Sequence, residues 1–212
     1  EAKTAAEAEQ LETMHEWSEV IAGKQLAEVL EKLTQPSEAL PPENLRATLR
    51  PYQRQGFAWL KFMMQLGLGA CLADDMGLGK TIQVIALLLS RQRETKSPAL
   101  LIVPASLVGN WKAEVAKFAP DLRLFIAHPS QTTREQLDLA VQHPAEALRG
   151  YDVMLTTYQF LQRTESWQMH PWSLVILDEA QAIKNSGSAS AKAVKRLQAP
   201  ARIALTGTPV EN

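Results

Sequence analysis

The segment Ala73-Asp-Asp-Met-Gly-Leu-Gly-Lys-Thr81 combines residue types that can hold phosphate. Gly77 and Gly79 let the backbone curl so that several amide N–H groups face one anion, at the positive end of the helical segment that follows. Lys80 brings a charge to the outer phosphates of a nucleotide, and the Thr81 hydroxyl suits Mg2+. Asp75, Met76, Gly77, Leu78, Gly79, Lys80 and Thr81 are therefore the candidate nucleotide-binding residues. Asp74 stands where the phosphate-loop pattern G-x-x-x-x-G-K-[ST] has its first glycine, so this segment alone is modest evidence.

A second segment, Leu174-Val-Ile-Leu-Asp-Glu-Ala-Gln181, is an apolar run that ends in adjacent carboxylates. At a strand tip Asp178 can hold Mg2+ through water, while Glu179 can polarise a water for in-line attack on a γ-phosphoryl group. Paired acids after a strand are also common at plain surfaces. The order of the two segments, roughly 100 residues apart, is what singles them out as the layout of a nucleoside-triphosphate hydrolase with Lys80, Asp178 and Glu179 as its catalytic set. Two other classes stay open. A kinase or GTPase could use the same loop, although no Asn-Lys-x-Asp guanine-reading tetrapeptide is present. A binding module with a vestigial site is the third, and the intact Lys80, Thr81, Asp178 and Glu179 argue against it.

These residues need a scaffold that brings loop and strand tip together. From Leu45 onward, short apolar runs alternate with longer segments of helical period. Strands are expected at Ala70–Ala73, Ala99–Val103, Leu122–Ala127, Val153–Thr156, Leu174–Leu177 and Ile203–Thr206, with helices such as Tyr52–Gln65, Lys80–Arg93 and Leu107–Phe118. Such α/β order implies a mostly parallel sheet covered on both faces, with its ligand at the carboxyl ends of the strands. Upstream, Met14, Trp17 and Ile21, then Leu26, Val29, Leu30 and Leu33, predict two short amphipathic helices within 7–33. Three prolines in 35–44 read as a linker.

The chain has 212 residues, 46% hydrophobic and 21% charged, which excludes collagen-like, low-complexity and wholly disordered chains. No apolar run approaches the roughly 18 residues of a membrane span, and the start lacks a signal-peptide profile, so a cytoplasmic protein is expected. The single Cys71 allows no internal disulfide, and His15, His128, His143 and His170 have no metal-ligand spacing. The net charge of −1 is uneven: residues 1–44 hold 3 Lys+Arg against 10 Asp+Glu, a net −7, and residues 45–212 hold 19 against 13, a net +6. A basic block of that size could face a polyanion but is a weak signal. Glu1 and the strand-like run before Asn212 read as the ends of a piece of a longer protein.

Six segments in order resemble the Swi/Snf-type DNA-translocating ATPases of helicase superfamily two. They are Leu49-Arg-Pro-Tyr-Gln-Arg-Gln-Gly-Phe-Ala-Trp-Leu60, the loop 73–81, Leu101-Ile-Val-Pro-Ala-Ser-Leu-Val-Gly-Asn-Trp111, Val153-Met-Leu-Thr-Thr-Tyr158, Asp178-Glu-Ala-Gln181 and Leu205-Thr-Gly-Thr-Pro209. The resemblance makes Asp74 the family's own variant of the loop. Gln181 and the Thr-Gly-Thr-Pro-Val-Glu-Asn ending look more like bacterial members than eukaryotic remodellers, which usually carry His in place of Gln181.

The resemblance implies a RecA-like, three-layer phosphate-loop lobe over 45–212, preceded by the acidic helical segment and linker of 1–44. It implies ATP and Mg2+ as ligands, with Gln53 reading the adenine edge through an amide that both donates and accepts. Pro104, Ser106, Asn110 and Trp111, with Thr156, Thr157 and Tyr158, resemble segments that track the backbone of double-stranded DNA without reading sequence. Thr206 and Thr208 look like the element coupling this lobe to a second RecA-like lobe. That second lobe supplies arginine fingers worth about 10³–10⁵ in rate, so the chain alone is expected to hydrolyse ATP hardly at all. A DNA-bound protein is a further expected partner, and the location would be the nucleoid in a bacterium or the nucleus in a eukaryote.

Overall fold

The computed structural model describes residues 39–75, 77–92 and 97–207. The helices expected within 7–33, the loop residue Met76 and the coupling residue Thr208 lie outside the described residues. From residue 39 to residue 50 the chain is irregular, in keeping with the proline-rich composition there.

Six strands form one sheet: β1 Ala70–Leu72, β2 Ala99–Val103, β3 Leu124–Ala127, β4 Val153–Thr157, β5 Leu174–Leu177 and β6 Arg202–Leu205. Their order is β1-β6-β5-β2-β4-β3, and every pairing is parallel. Parallel strands need crossovers, and the helices supply them. These are α1 Pro51–Gln65, α2 Lys80–Arg91, α3 Val108–Phe118, α4 Arg134–Gln142, α5 Pro144–Ala147, α6 Tyr158–Gln162, α7 Glu165–Met169 and α8 Ala189–Arg196.

Every residue of β2, β4 and β5 is buried, which is why β2 and β5 read as unbroken apolar runs and not as alternations. Successive side chains still point to opposite faces. Leu101 and Val103 pack with Phe57, Leu60, Val84 and Trp111 on one face, while Leu100 and Ile102 pack with Leu161, Trp167 and Val194 on the other. The result is a three-layer α/β domain. Each fully buried Leu or Ile in these layers contributes about 1.5–3 kcal/mol.

Local chemistry sets the element ends. Pro51 opens α1, where its missing N–H leaves no donor unsatisfied, and the Arg50 N–H donates to Gln53 Oε1 at 2.9 Å. Ser188 caps α8 by accepting from the Ala191 N–H at 3.2 Å. The third strand starts two residues later than its apolar run suggests. Arg123 is diverted to Asp152, which accepts from its backbone N–H at 2.8 Å and its guanidinium at 2.7 Å, and from Gln92 at 2.9 Å. This polar cluster closes the amino ends of β2 and β4. Edge strand β1 leaves Cys71 exposed. Among the described residues no helix is long and apolar enough to cross a membrane.

Candidate active site

In a parallel sheet every strand points the same way, so the loops after β1, β2, β4, β5 and β6 emerge on one rim. Asp74, Pro104, Tyr158, Asp178 and Thr206 each follow one of those strands within a residue or two. The sequence motifs therefore meet because of topology and not because of closeness along the chain.

After β1 the loop turns through Gly77 at φ 85° and Gly79 at φ 78°, conformations that L side chains resist, and α2 begins at Lys80. The N–H groups of the first turn of α2 thus open onto the loop. Lys80 Nζ folds back to donate to the carbonyls of Asp74 at 2.6 Å and Asp75 at 3.1 Å. Thr81 lies in the same first turn. From α1, Gln53 Nε2 and the Tyr52 hydroxyl donate to the Leu78 carbonyl at 3.0 and 3.1 Å. Gln53 is only 8% exposed; its Nε2 also donates to the Tyr52 hydroxyl at 3.5 Å, and one lone pair remains on Oε1.

Asp74, where the general pattern has glycine, accepts from Gln83 Nε2 at 3.2 Å. Gln83 is fully buried, and its amide fills the space beside Gly56 where any Cβ would collide. Loop, α1 and α2 are thereby tied together. Sequence reasoning missed this pair. The available signal was one amide inside the apolar helical run Ile82–Leu89 and a glycine in the interior of α1.

Asp178 continues the β5 ladder, its N–H donating to the Ile102 carbonyl at 2.8 Å. Its Oδ2 accepts from Trp111 Nε1 at 2.7 Å and its Oδ1 from the Glu179 N–H at 2.9 Å. Burial raises the Asp178 carboxyl above its ordinary range; the two donors and the Lys80 charge pull it down, and the Glu179 charge adds to the rise. The 73–81 loop follows β1 and the two carboxylates follow β5, so both lie on the carboxyl rim of the sheet. The Tyr158 hydroxyl donates to the Asp178 carbonyl at 2.8 Å, and burial, with the neighbouring Asp178 and Glu179 charges, raises its pKa strongly.

Glu179 adopts φ 48°, the one positive φ outside glycine among the described residues. Such a conformation costs about 1–3 kcal/mol and persists where the surroundings enforce it. Gln181 Nε2 donates to Glu179 Oε2, and Gln181 Oε1 accepts from the Thr206 hydroxyl at 3.0 Å. One amide thus links Glu179 to the end of β6.

Residues 52–212 match the SNF2-related domain. The chain belongs to that family. A putative ATP-dependent helicase/translocase, YwqA, of Bacillus subtilis is 42% identical over 196 residues, covering 89% of this chain and 20% of the relative. Helicase SWR1 of Debaryomyces hansenii is 40% identical over 176 residues, covering 82% of this chain and 11% of that protein. The solved Sulfolobus solfataricus SWI2/SNF2 ATPase core in complex with dsDNA superposes with a TM-score of 0.72 at 46% identity, over 82% of this chain and 35% of that one. The chain spans a fifth or less of these two curated relatives. The three-layer fold is the RecA-like fold of such ATPase cores.

Within this SNF2-related domain the residues expected to face DNA divide into two groups. Ser106 and Asn110 are exposed and Pro104 is half-buried at the turn into α3. The side chains of the other four are buried. Trp111 is 1% exposed, Thr156 is buried with its hydroxyl donating to the Ala127 carbonyl at 3.1 Å, Thr157 caps α6 by accepting from the Phe160 N–H at 3.2 Å, and Tyr158 is buried. Among the described residues no cluster of three His, Cys, Asp or Glu side chains could hold a metal ion. A phosphate-loop cation needs no such cluster, because phosphates and water fill most of its octahedron.

Proposed function

We propose that the chain is the first RecA-like lobe, residues 45–212, of an ATP-dependent translocase on double-stranded DNA, with hydrolysis completed by a second lobe. The observation that carries this reading is the placement of Lys80, Asp178 and Glu179 on the one rim formed by the carboxyl ends of β1 and β5. The dsDNA bound to the Sulfolobus ATPase core supports the choice of polymer.

In this reading the loop N–H groups and Lys80 bind the phosphates, and Lys80 exchanges two loop carbonyls for them. Gln53 orients the adenine. The Thr81 hydroxyl and the Asp178 carboxylate, already oriented by two donors with a lone pair left on each oxygen, would hold Mg2+, which neutralises charge on the β and γ oxygens when bound. Glu179 takes the proton of the attacking water. The water oxygen bonds to γ-phosphorus as the bond to the bridging oxygen breaks and ADP leaves. Gln181 fixes the Glu179 carboxylate against Thr206, so a shift of β6's end reaches the base directly. Ser106, Asn110 and Pro104 meet phosphate oxygens of the duplex, and a DNA-bound protein is what the whole enzyme would displace.

The test is a fluorescence-anisotropy titration with duplexes of unrelated sequence at two salt concentrations, on chains 1–212 and 45–212, beside calorimetric titration with ATP and GTP. Weak, salt-sensitive, sequence-blind DNA binding and a preference for ATP are expected. A salt-independent signal, a preferred sequence or equal affinity for GTP overturns the reading. Tighter DNA binding by 45–212 is expected if the acidic segment competes with phosphate.

A further inference from the structure

One side chain reaches both ends of the phosphate loop. Gln83, near the start of α2, is fully buried and donates from Nε2 to Asp74 Oδ2 at 3.2 Å and to the Gly79 carbonyl at 3.4 Å. Asp74 and Gly79 occupy the first and second glycine positions of the phosphate-loop pattern. The reverse amide orientation would set Oε1 against a carboxylate and a carbonyl, so the donors face the loop. Oε1 then points at α1, where it meets no donor among the described residues and lies 1.9 Å from the place a Cβ on Gly56 would take. Two locally unfavourable features thus coincide, a buried acceptor without a partner and a glycine inside a helix. Both follow from aiming the two N–H groups of this amide at the loop.

We propose that Gln83 is a positioning residue that clamps the two ends of the phosphate loop and so presets its N–H groups for a polyphosphate chain. The inference rests on the nucleotide-binding reading and deepens it by assigning the loop's fit to a residue outside the 73–81 segment. In the general pattern the first position is glycine, which offers no side chain to hold. Here Asp74 supplies a carboxylate, and the buried amide on α2 takes hold of it. The clamp matters most when Lys80 moves. Lys80 Nζ donates to the Asp74 carbonyl at 2.6 Å, and that carbonyl loses its donor when Lys80 turns to phosphate. The Asp74 side chain, still bound to Gln83, then keeps the first residue of the loop in place. A loop held at fixed width loses less freedom when phosphate binds, and it binds more tightly for that reason.

The experiment measures the affinity of the 212-residue chain for ATP, GTP and inorganic tripolyphosphate by calorimetry. The wild type is compared with Gln83→Met, Asp74→Ala, Asp74→Asn and the double variant Gln83→Met/Asp74→Ala. Gln83→Met keeps length and bulk and removes both donors. It should weaken tripolyphosphate and ATP by the same factor, about 10-fold, as loss of a hydrogen bond to a charged group does. The preference between ATP and GTP should stay as it was, because Gln53 is untouched. Asp74→Ala should weaken both ligands by a similar factor, and the double variant should be no weaker than either single one, since each change alone already opens the clamp. Asp74→Asn keeps an acceptor for Gln83 and should recover most of the lost affinity. A general loosening of the domain would erode the preference between ATP and GTP as well, and that result overturns the proposal. So do factors that multiply in the double variant, an Asp74→Asn chain as weak as Asp74→Ala, or variants that bind like the wild type. Asp74 is half-buried in a loop, so its two variants decide the matter even if Gln83→Met fails to fold. A wild-type chain that binds neither ATP nor tripolyphosphate overturns the nucleotide-binding reading itself.

Discussion

Gly79 and Gln53 share a space that admits no side chain on the glycine: a Cβ there would lie 2.5 Å from Gln53 Nε2. The position also sits at φ 78°. Gly79→Ala should destabilise the chain by about 1–3 kcal/mol through backbone strain and push Gln53 off the Leu78 carbonyl. Thermal unfolding and calorimetric titration with ATP check both halves. A stable variant with native ATP affinity would show that the fit between loop and α1 has no bearing on the site.

Lys80→Ala should weaken ATP by roughly 10- to 150-fold, the worth of a charge-assisted hydrogen bond of about 1.5–3 kcal/mol. Its own partners in this structure are loop carbonyls within reach of water, so stability should change by about 0.5 kcal/mol or less. The same titration decides, with the melting temperature as control.

Gln53→Ala should reduce the preference for ATP over GTP. It also removes the acceptor for the Arg50 N–H and the donor to Leu78, so a loss of about 1 kcal/mol of stability should accompany it. If both nucleotides weaken equally, adenine recognition lies elsewhere.

Gln181→Ala frees the Glu179 carboxylate, and Thr206→Val removes the hydroxyl that holds Gln181. In the proposed two-lobed enzyme either change should lower kcat by about 10- to 100-fold, in line with the 10²–10⁴ typical of a positioned acid or base. ATP affinity should hold, because the role assigned to both residues is to fix the Glu179 carboxylate. A rise in KM with kcat intact would contradict the assignment.

Acid stability has a separate origin at the other rim. Burial opposes ionisation of Asp152, but the Arg123 side chain, the Arg123 N–H and Gln92 outweigh it and hold the carboxyl below its ordinary range. The stabilisation is thus complete above the unfolded carboxylate pKa of about 3.9 and is lost as pH falls toward the lowered folded value. Asp178 has the opposite sign: its raised pKa favours folding below about 3.9, and that contribution drains away as pH rises through the folded value. Urea unfolding of Asp152→Asn should show a flatter acid limb than the wild type. An unchanged acid slope would remove Asp152 from the account.

The sequence was most legible where one physical signal acted alone. The runs Ala99–Val103 and Leu174–Leu177 became β2 and β5 without change, because each is wholly apolar and stopped by Pro104 or Asp178. The third strand was misjudged at its start because apolarity could not reveal that Asp152, 29 positions along the chain, would seize Arg123. Site composition was legible from glycine, lysine and paired acids; orientation was not. Trp111 and Asn110 are neighbours in a helix, and which of them faces water depends on what β5 presents to α3, information carried by residues far along the chain. The Gln83–Asp74 and Gln181–Thr206 pairs were hidden for the same reason.

The exposed edge-strand Cys71 has a practical consequence. It is the chain's one thiol, and it lies three residues before Asp74. An alkylating fluorophore would have a single point of attachment, on a rigid strand beside the phosphate loop yet outside it. Emission from such a label reports the surroundings of the loop in real time, so the proposed exchange of Lys80 from carbonyls to phosphate could be timed in a stopped-flow instrument without adding a foreign residue to the protein.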